Sequence, residues 1–585
     1  MNLEAELQAG ILAHSEGRLG DAARCYRRVL EADSNNADAL HLMGVLSLMG
    51  GEAAFAESLA RQAIAAAPDW FAPHVGLGNA LQAQGRLEEA AACFQTAVSL
   101  HPQSAEAYSN LSSCLCALGR ADQAADAAVN AIVIDGAMAE AHNNFGNALA
   151  ALGSPSEAAE AYFKAIALKP DYSDAWYNLA NAQMAAGELD EAVKLYRRAI
   201  ELSPAPIKYY NLGNALLAAG RPAEAIDAFR TVLELDPGFV AAAVNLSSAY
   251  KDLERLDEAA SILREYQVRA PDAPDLHWNL ALVSLQAGQW ADGWREYEWR
   301  WKMPTFAPFV RDLGRPLWQG EDLAGRSILV HAEQGFGDAI EFCRFLPLLA
   351  DRGARVVFEC RAGLTRLMSA LDSRIEVVAL GHPLPETDYY LPMMSLVHAL
   401  GLSIDQVGRA GPYLSAPAGS ADFSDIAGQA GLKVGIVWAG GESRRDNRVR
   451  SCRAIDMAPL AAIAECRLFS LQVGPQAGQA AELGDGVTDL SPRLADFADT
   501  AAAIAALDLV ISVDTGVVHL AGAMAKPVWV LLSKPSNGFL WMQERSDSPW
   551  YPSARLFRQT QSGDWSELME RVEREIISRY LSARS

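Results

Sequence analysis

One glycine returns through the first half of the chain at a fixed interval. Gly17, Gly51, Gly85, Gly119, Gly153, Gly187 and Gly220, then Glu254 in a glycine's place and Gly288, are spaced by 34 residues five times, by 33 once and by 34 twice. A second column, Ser34, Pro68, Pro102, Gly136, Pro170, Pro204, Pro237 and Pro271, keeps the same period and the same single 33. A repeat of this length is one supersecondary unit that cannot bury its apolar face alone, so the units must stack. Between the columns lie segments such as GRLEEAAACFQTAVSLHP (85–102) and GELDEAVKLYRRAIELSP (187–204), with alanines and aromatics at helical spacing. The glycine opens a tight turn between two helices. The proline ends the second helix and leads into the next unit.

Two columns in one phase resemble the tetratricopeptide repeat, over about nine units in residues 1–304. The resemblance implies an α-solenoid with a concave groove, lined by the first helices, that binds extended peptides or partner proteins. In those first helices Asn110, Asn144, Asn178, Asn211, Asn245 and Asn279 recur at the same phase. An amide offers a donor and an acceptor, so such a ladder suits the backbone of a peptide acceptor. O-linked N-acetylglucosamine transferases carry a similar asparagine ladder for protein substrates. The other reading is repeat consensus with a local hydrogen-bonding role, and both stay open at this point.

After about residue 305 the period stops, at a cluster of tryptophans (Trp278, Trp290, Trp294, Trp299, Trp301 and Trp318) that reads as an apolar seam. The rest alternates short apolar strands with helices, in two βαβ sets: residues 305–420 and 421–585 read as two Rossmann-like halves. Three motifs follow strands, where such sheets bind ligands. GFGD (335–338) places Gly335, Gly337 and Asp338 in a strand-to-helix turn, with His331 at the strand's end. SVDTGVVHLAGA (512–523) repeats the plan with Asp514, Thr515, Gly516 and His519, and a helix N-terminus of this kind suits a phosphate. GESRRDNRVRSCR (441–453) gathers Arg444, Arg445, Arg448, Arg450 and Arg453 in a chain whose net charge is −23. Such an excess suits a phosphate leaving group.

Together these motifs resemble the bacterial heptosyltransferases and their relatives fused to tetratricopeptide repeats, over about 320–570. The resemblance implies a GT-B type pair of Rossmann-like domains after the solenoid, and a glycosyltransferase using a nucleotide-sugar donor. It implies Asp338 as general base; His331, by its place at the strand's end, is the next catalytic candidate. Asp514, Thr515, Gly516 and His519 would contact the donor, with Arg448 or Arg450 on its phosphate. The tail SDSPWYPSARLFRQ (546–559) looks like the repeat-fused branch, whose members include flagellin glycosyltransferases. The expected reaction is inverting transfer to a serine or threonine of a protein. No D-x-D lies in the C-terminal half, so no metal and no cofactor beyond the nucleotide sugar is expected.

Composition narrows the alternatives. The charge of −23 disfavours nucleic acid and anionic membranes as partners. No apolar run reaches the roughly 20 residues of a membrane span. The first residues, MNLEAELQAG, lack a signal's basic and apolar regions, and eight cysteines without C-x-x-C pairs fit a cytoplasmic location. The rival to an enzyme is a repeat scaffold carrying a degenerate transferase half. A third reading keeps the chemistry and makes the acceptor a glycan or lipid.

Overall fold

The computed structural model describes residues 2–408, 411–441, 447–534, 538–543 and 545–581, apart from the side chain of Arg448. The chain forms two compact units, Met1–Ala242 and Ala243–Ser585.

The first unit is a stack of helix pairs, from Leu3–Ser15 with Leu19–Ala32 to Pro206–Ala218 with Pro222–Leu235. Among the described residues, eighteen helices lie between Leu3 and Tyr297, the last two pairs belonging mainly to the second unit. The repeat turn is built as the period predicts. Gly119 has φ 72° and its N–H donates to Cys116 O at 3.0 Å, while Arg120 N–H reaches back to Leu115 O at 2.9 Å. Those bonds satisfy carbonyls that the helix end leaves open. Within a pair the two helices meet where a small residue faces a ring. Gly78 lies against Phe94, Gly146 against Tyr162 and Gly213 against Phe229, each so near that a Cβ would stand 2.5 Å from the ring. Rings and alanines at this phase are fully buried, so the pattern that marks the repeat also makes its core.

The second unit holds two parallel sheets. Strands β1 (Ser327–His331), β2 (Arg355–Cys360), β3 (Ile375–Ala379) and β4 (Tyr389–Pro392) form the first, in the order β3-β2-β1-β4. Strands β5 (Leu432–Val437), β6 (Cys466–Ser470), β7 (Val487–Asp489), β8 (Leu509–Val513), β9 (Val528–Leu532) and β10 (Ala554–Arg558) form the second, in the order β10-β9-β8-β5-β6-β7. Numbered within its own sheet, that is the doubly wound 3-2-1-4-5-6 order. Strands β8 and β9, LVISV and VWVLL, are buried at every position, as a sheet covered on both faces requires. This is the α/β architecture expected after the solenoid, consistent with a GT-B arrangement. The tryptophans pack as a seam inside this unit: Trp294 meets Phe342 edge-on at 5.5 Å, and Trp290 lies 5.1 Å from Trp550 of the tail. No described helix is long and apolar enough to cross a membrane.

Candidate active site

In a doubly wound sheet, neighbouring crossovers part where the strand order reverses, and ligands bind beyond the carboxyl ends there. Those points are β1/β4 in the first sheet and β5/β8 in the second. The chain leaving β1 runs through Glu333, Gln334 and Gly335 into the helix Phe336–Phe342, and that leaving β8 runs through Asp514 and Thr515 into the helix Gly516–Ala523. The two turns, far apart in sequence, touch. A Cβ on Gly337 would stand 2.9 Å from His519 Cδ2 and 3.7 Å from Gly516 Cα. One on Gly516 would stand 3.6 Å from Gly337 N and 3.3 Å from Phe497 Cζ. Neither glycine has a positive φ; a side chain on Gly337 would push against His519 of the other turn's helix, and one on Gly516 would press on Phe497.

The side chains divide by environment. Asp338 is partly buried, and its Oδ2 accepts from Gly335 N–H at 2.9 Å, which fixes the carboxylate at the mouth of the turn. His331 is buried, 6.2 Å from the Tyr390 ring, and its pKa falls to about 4 through burial and then the charges of Arg311 and Arg300. It is therefore neutral near pH 7 and shielded from solvent. Across the contact, Asp514 and Thr515 are partly buried, and Thr515 Oγ1 lies 3.0 Å from Ser512 Oγ. Thr515 starts the helix Gly516–Ala523, whose first amides have no intrahelical acceptor. His519, one turn further on, is held at three points: Nδ1 is 3.0 Å from Tyr551 OH, Nε2 is 3.8 Å from Asp514 Oδ1, and the ring stacks on Trp541 at 5.6 Å.

Of the arginine loop, Arg444 and Arg445 lie outside the described residues, as does the side chain of Arg448. Arg450 is brought to the site: its Nη1 donates to Asp514 O at 3.0 Å, and its guanidinium lies over Gly440, where a Cβ would collide with it. Arg453 turns away, with a 75% exposed side chain paired to Asp456 at 3.0 Å. The loop after β5 is pinned by Gln472, whose Oε1 accepts from Trp438 N–H at 3.2 Å and Ala439 N–H at 3.0 Å.

The asparagine column is engaged between repeats. Asn110 Nδ2 donates to Asn79 Oδ1 at 3.1 Å, Asn144 to Ser109 O at 3.0 Å, Asn178 to Asn143 Oδ1 at 3.0 Å and Asn211 to Tyr177 OH at 2.7 Å. Asn279 donates within its own helix, to Asp275 O at 2.9 Å, and Asn245 is partly buried like the others. Each of these five amides thus spends at least one N–H inside the protein.

Sequence reasoning passed over two buried acids. Glu333 is clamped by the fully buried Arg300, at 3.0 Å, and its pKa rises to about 7 because burial outweighs that charge. Glu341 lies fully buried on the helix of Asp338. The available signal was charge out of place, for both acids sit among apolar neighbours, in LVHAE and AIEFCRFLPLL.

Parts of the chain match known families. The chain joins tetratricopeptide repeats, matched at 7–69, 75–141, 143–205 and 216–280, to a segment that matches glycosyltransferase family 9 (heptosyltransferase) at 476–563. That segment contains Asp514, Thr515, Gly516 and His519 and stops short of Asp338 and Arg450. Protein FlbA of Caulobacter vibrioides is 28% identical over 378 residues, 56% of this chain and 61% of that protein. Tetratricopeptide repeat protein 7A of Homo sapiens is 32% identical over 95 residues, 16% of this chain and 11% of that protein. The chain thus spans less than two thirds of either relative. Among solved structures, a chain of the APC/C hetero-tetramer Cut9–Hcn1 matches with a TM-score of 0.39 at 19% identity, over 45% of this chain and 52% of that one. TTC0263, a thermophilic TPR protein in Thermus thermophilus, matches with a TM-score of 0.28 at 21% identity, over 31% of this chain and 99% of that one.

Proposed function

We propose that this protein transfers a sugar from a nucleotide-sugar donor to a hydroxyl of a protein, with inversion and without a metal. The observation that supports the reading is the contact of Gly337, next to Asp338, with Gly516 and His519 of the second turn. Asp338 takes the proton from the acceptor hydroxyl. The freed oxygen bonds to the anomeric carbon as that carbon's bond to the phosphate oxygen breaks. Charge then gathers on the departing diphosphate, where the first amides of the helix Gly516–Ala523 and the guanidinium of Arg450 stabilise it. A helix N-terminus and an arginine do the work that a metal ion does elsewhere. Arg448 belongs with Arg450 on sequence grounds. The repeats hold the acceptor, and serine or threonine is the expected residue. Flagellin is the first acceptor to try, because the tail 546–559 resembles the repeat-fused branch.

Co-expression with candidate acceptors, read by intact-protein mass spectrometry, tests this. The wild-type chain should add a sugar mass to an acceptor, and Asp338→Asn should not. A folded wild-type chain that neither modifies any acceptor nor releases nucleoside diphosphate from any nucleotide sugar would point to the scaffold instead.

A further inference from the structure

The helix that carries Asp338 also buries an acid that the mechanism above does not use. Glu341 is 0% exposed, and neither of its carboxyl oxygens has a hydrogen-bond partner among the described residues. An unpaired buried carboxyl costs its full desolvation, so one that persists calls for a reason. His519 supplies one: its Nδ1 stands 3.7 Å from Glu341 Oε2, across the contact between the two turns. That is about 0.8 Å longer than an ordinary N–H···O bond. The imidazole thus has Glu341 and the Tyr551 hydroxyl on its Nδ1 edge and Asp514 on its Nε2 edge.

The charged groups around Glu341 act in two directions. Burial is the largest influence and holds the proton on; Asp338 and Asp514 add to it, and Arg344 opposes it, with the net result well above the usual carboxyl range. Tyr413 and Tyr551 also face the acid, and burial keeps both phenols neutral. Arg344 is itself occupied, donating to Trp550 O at 2.9 Å and Tyr413 OH at 2.7 Å.

We propose that Glu341 is a positioning residue that stores a proton for His519, so that the imidazole meets a bound phosphate with Nε2–H directed at the 514–516 turn. The proposal rests on reading that turn as the phosphate site. When the phosphate charge arrives, the O–H bond of Glu341 breaks and an N–H bond forms at His519 Nδ1. A neutral acid and imidazole become a carboxylate and an imidazolium, and solvent supplies no proton. The carboxylate then accepts from the Nδ1–H it created, and the ring is fixed at both edges. Glu341 touches no reacting atom; it acts through His519.

The test uses the full chain with 13Cε1-labelled histidine, the His519 signal assigned by its loss in His519→Gln. The signal is followed against pH in the wild-type chain, in Glu341→Gln and in the apolar Glu341→Met, alone and with ADP, GDP, UDP or CDP. With a nucleoside diphosphate bound, His519 should stay protonated to a pH higher in the wild-type chain than in Glu341→Gln by about one unit or more, because the variant has no carboxylate to face the imidazolium. Glu341→Met should lose the shift equally, and serves alone if the Gln variant does not fold. Equal midpoints in the wild-type chain and a folded variant would overturn the proposal. A midpoint difference that no nucleoside diphosphate alters would keep the shared proton and remove the phosphate reading of the turn.

Discussion

The glycines of the repeats and the glycines of the site are the same residue kept for opposite reasons. Gly17, Gly51, Gly85, Gly119, Gly153, Gly187 and Gly220 have φ between 71° and 84°, with nothing within 4 Å of where a Cβ would be. There the backbone demands glycine and space does not. Gly335 has an ordinary φ of −74°, and Gly337 and Gly516 are not among the positive-φ residues. Around Gly337 and Gly516 the neighbours are close: His519 Cδ2 at 2.9 Å from a Cβ on the first, Phe497 Cζ at 3.3 Å from one on the second. At Gly337 space demands glycine and the backbone does not; at Gly516 the fit is tight without being closed. The first kind repeats with the fold and shows as a period. The second depends on a turn nearly two hundred residues away and carries no local mark.

The largest expected effect falls on the site. Asp338→Asn should leave the melting temperature close to wild type and cut transfer by about 10²–10⁴-fold, the usual worth of a general base. Unchanged turnover would move the base elsewhere in the turn. Next is Arg450→Ala. Loss of a charge-assisted contact of about 1.5–3 kcal/mol should lower kcat/KM for the donor roughly tenfold or more. A normal value in steady-state kinetics would reduce Arg450 to a strut on Asp514.

The asparagine ladder sharpens the comparison in the repeats. Replacing Asn110, Asn144 and Asn178 with alanine removes four inter-repeat bonds, two of them from Asn144 to Ser109, each contributing about 0.5–1.5 kcal/mol. Denaturant unfolding of the array should register their sum, with any rise in acceptor KM following from it. A rise in KM with unfolding unchanged would assign the ladder to the acceptor instead.

Two buried groups at the end of β1 set a pH dependence of opposite sign. Glu333, raised to about 7, contributes stability that is fully present below its unfolded value near 4.5 and is lost as pH rises to 7. His331, lowered to about 4, contributes stability that is present above 6.5 and is lost as pH falls toward 4. Between pH 4.5 and 6.5 the two oppose each other. Acidification should therefore destabilise Glu333→Gln more steeply than the wild-type chain, and parallel melting-temperature profiles would contradict the assignment.

The smallest effect is in the repeat turns. Glu254 occupies a glycine's place at φ 61°, a conformation that costs a side-chain-bearing residue roughly 1 kcal/mol. Glu254→Gly should raise stability by a few tenths to about 1 kcal/mol, and Gly119→Ala should lower it by a similar amount. A destabilised Glu254→Gly would show that the glutamate side chain outweighs the strain.

Much of this fold was legible because its determinants are local. The turn glycines fall at the predicted phase, and strands β1, β2, β3, β5, β6, β8 and β9 carry the short apolar runs that mark the α/β alternation. Strands β4, β7 and β10 carry no such run: YYLP ends in proline, VTD has three residues, and ARLFR is interrupted by charge. Each is made by its neighbours in the sheet, not by its own pattern. The site was legible only as parts. GFGD and SVDTG can be read as strand-to-helix turns, but no rule of spacing says that Gly337 lies on His519, or that Glu341 stands behind it. Of the two arginines of that loop with described side chains, Arg450 reaches Asp514 and Arg453 turns away to Asp456, a difference that no count of charge reveals.

If the two turns make one site, nucleotide binding at the second must depend on the first. Calorimetric titration of nucleoside diphosphates into the wild-type chain, Gly337→Ala and Gly119→Ala tests it most directly. A methyl group on Gly337 must displace His519, so that variant should bind the preferred nucleotide about tenfold more weakly or worse, while Gly119→Ala binds as the wild type does. Wild-type affinity in a folded Gly337→Ala chain would contradict the account, because the first turn would then have no hold on the second.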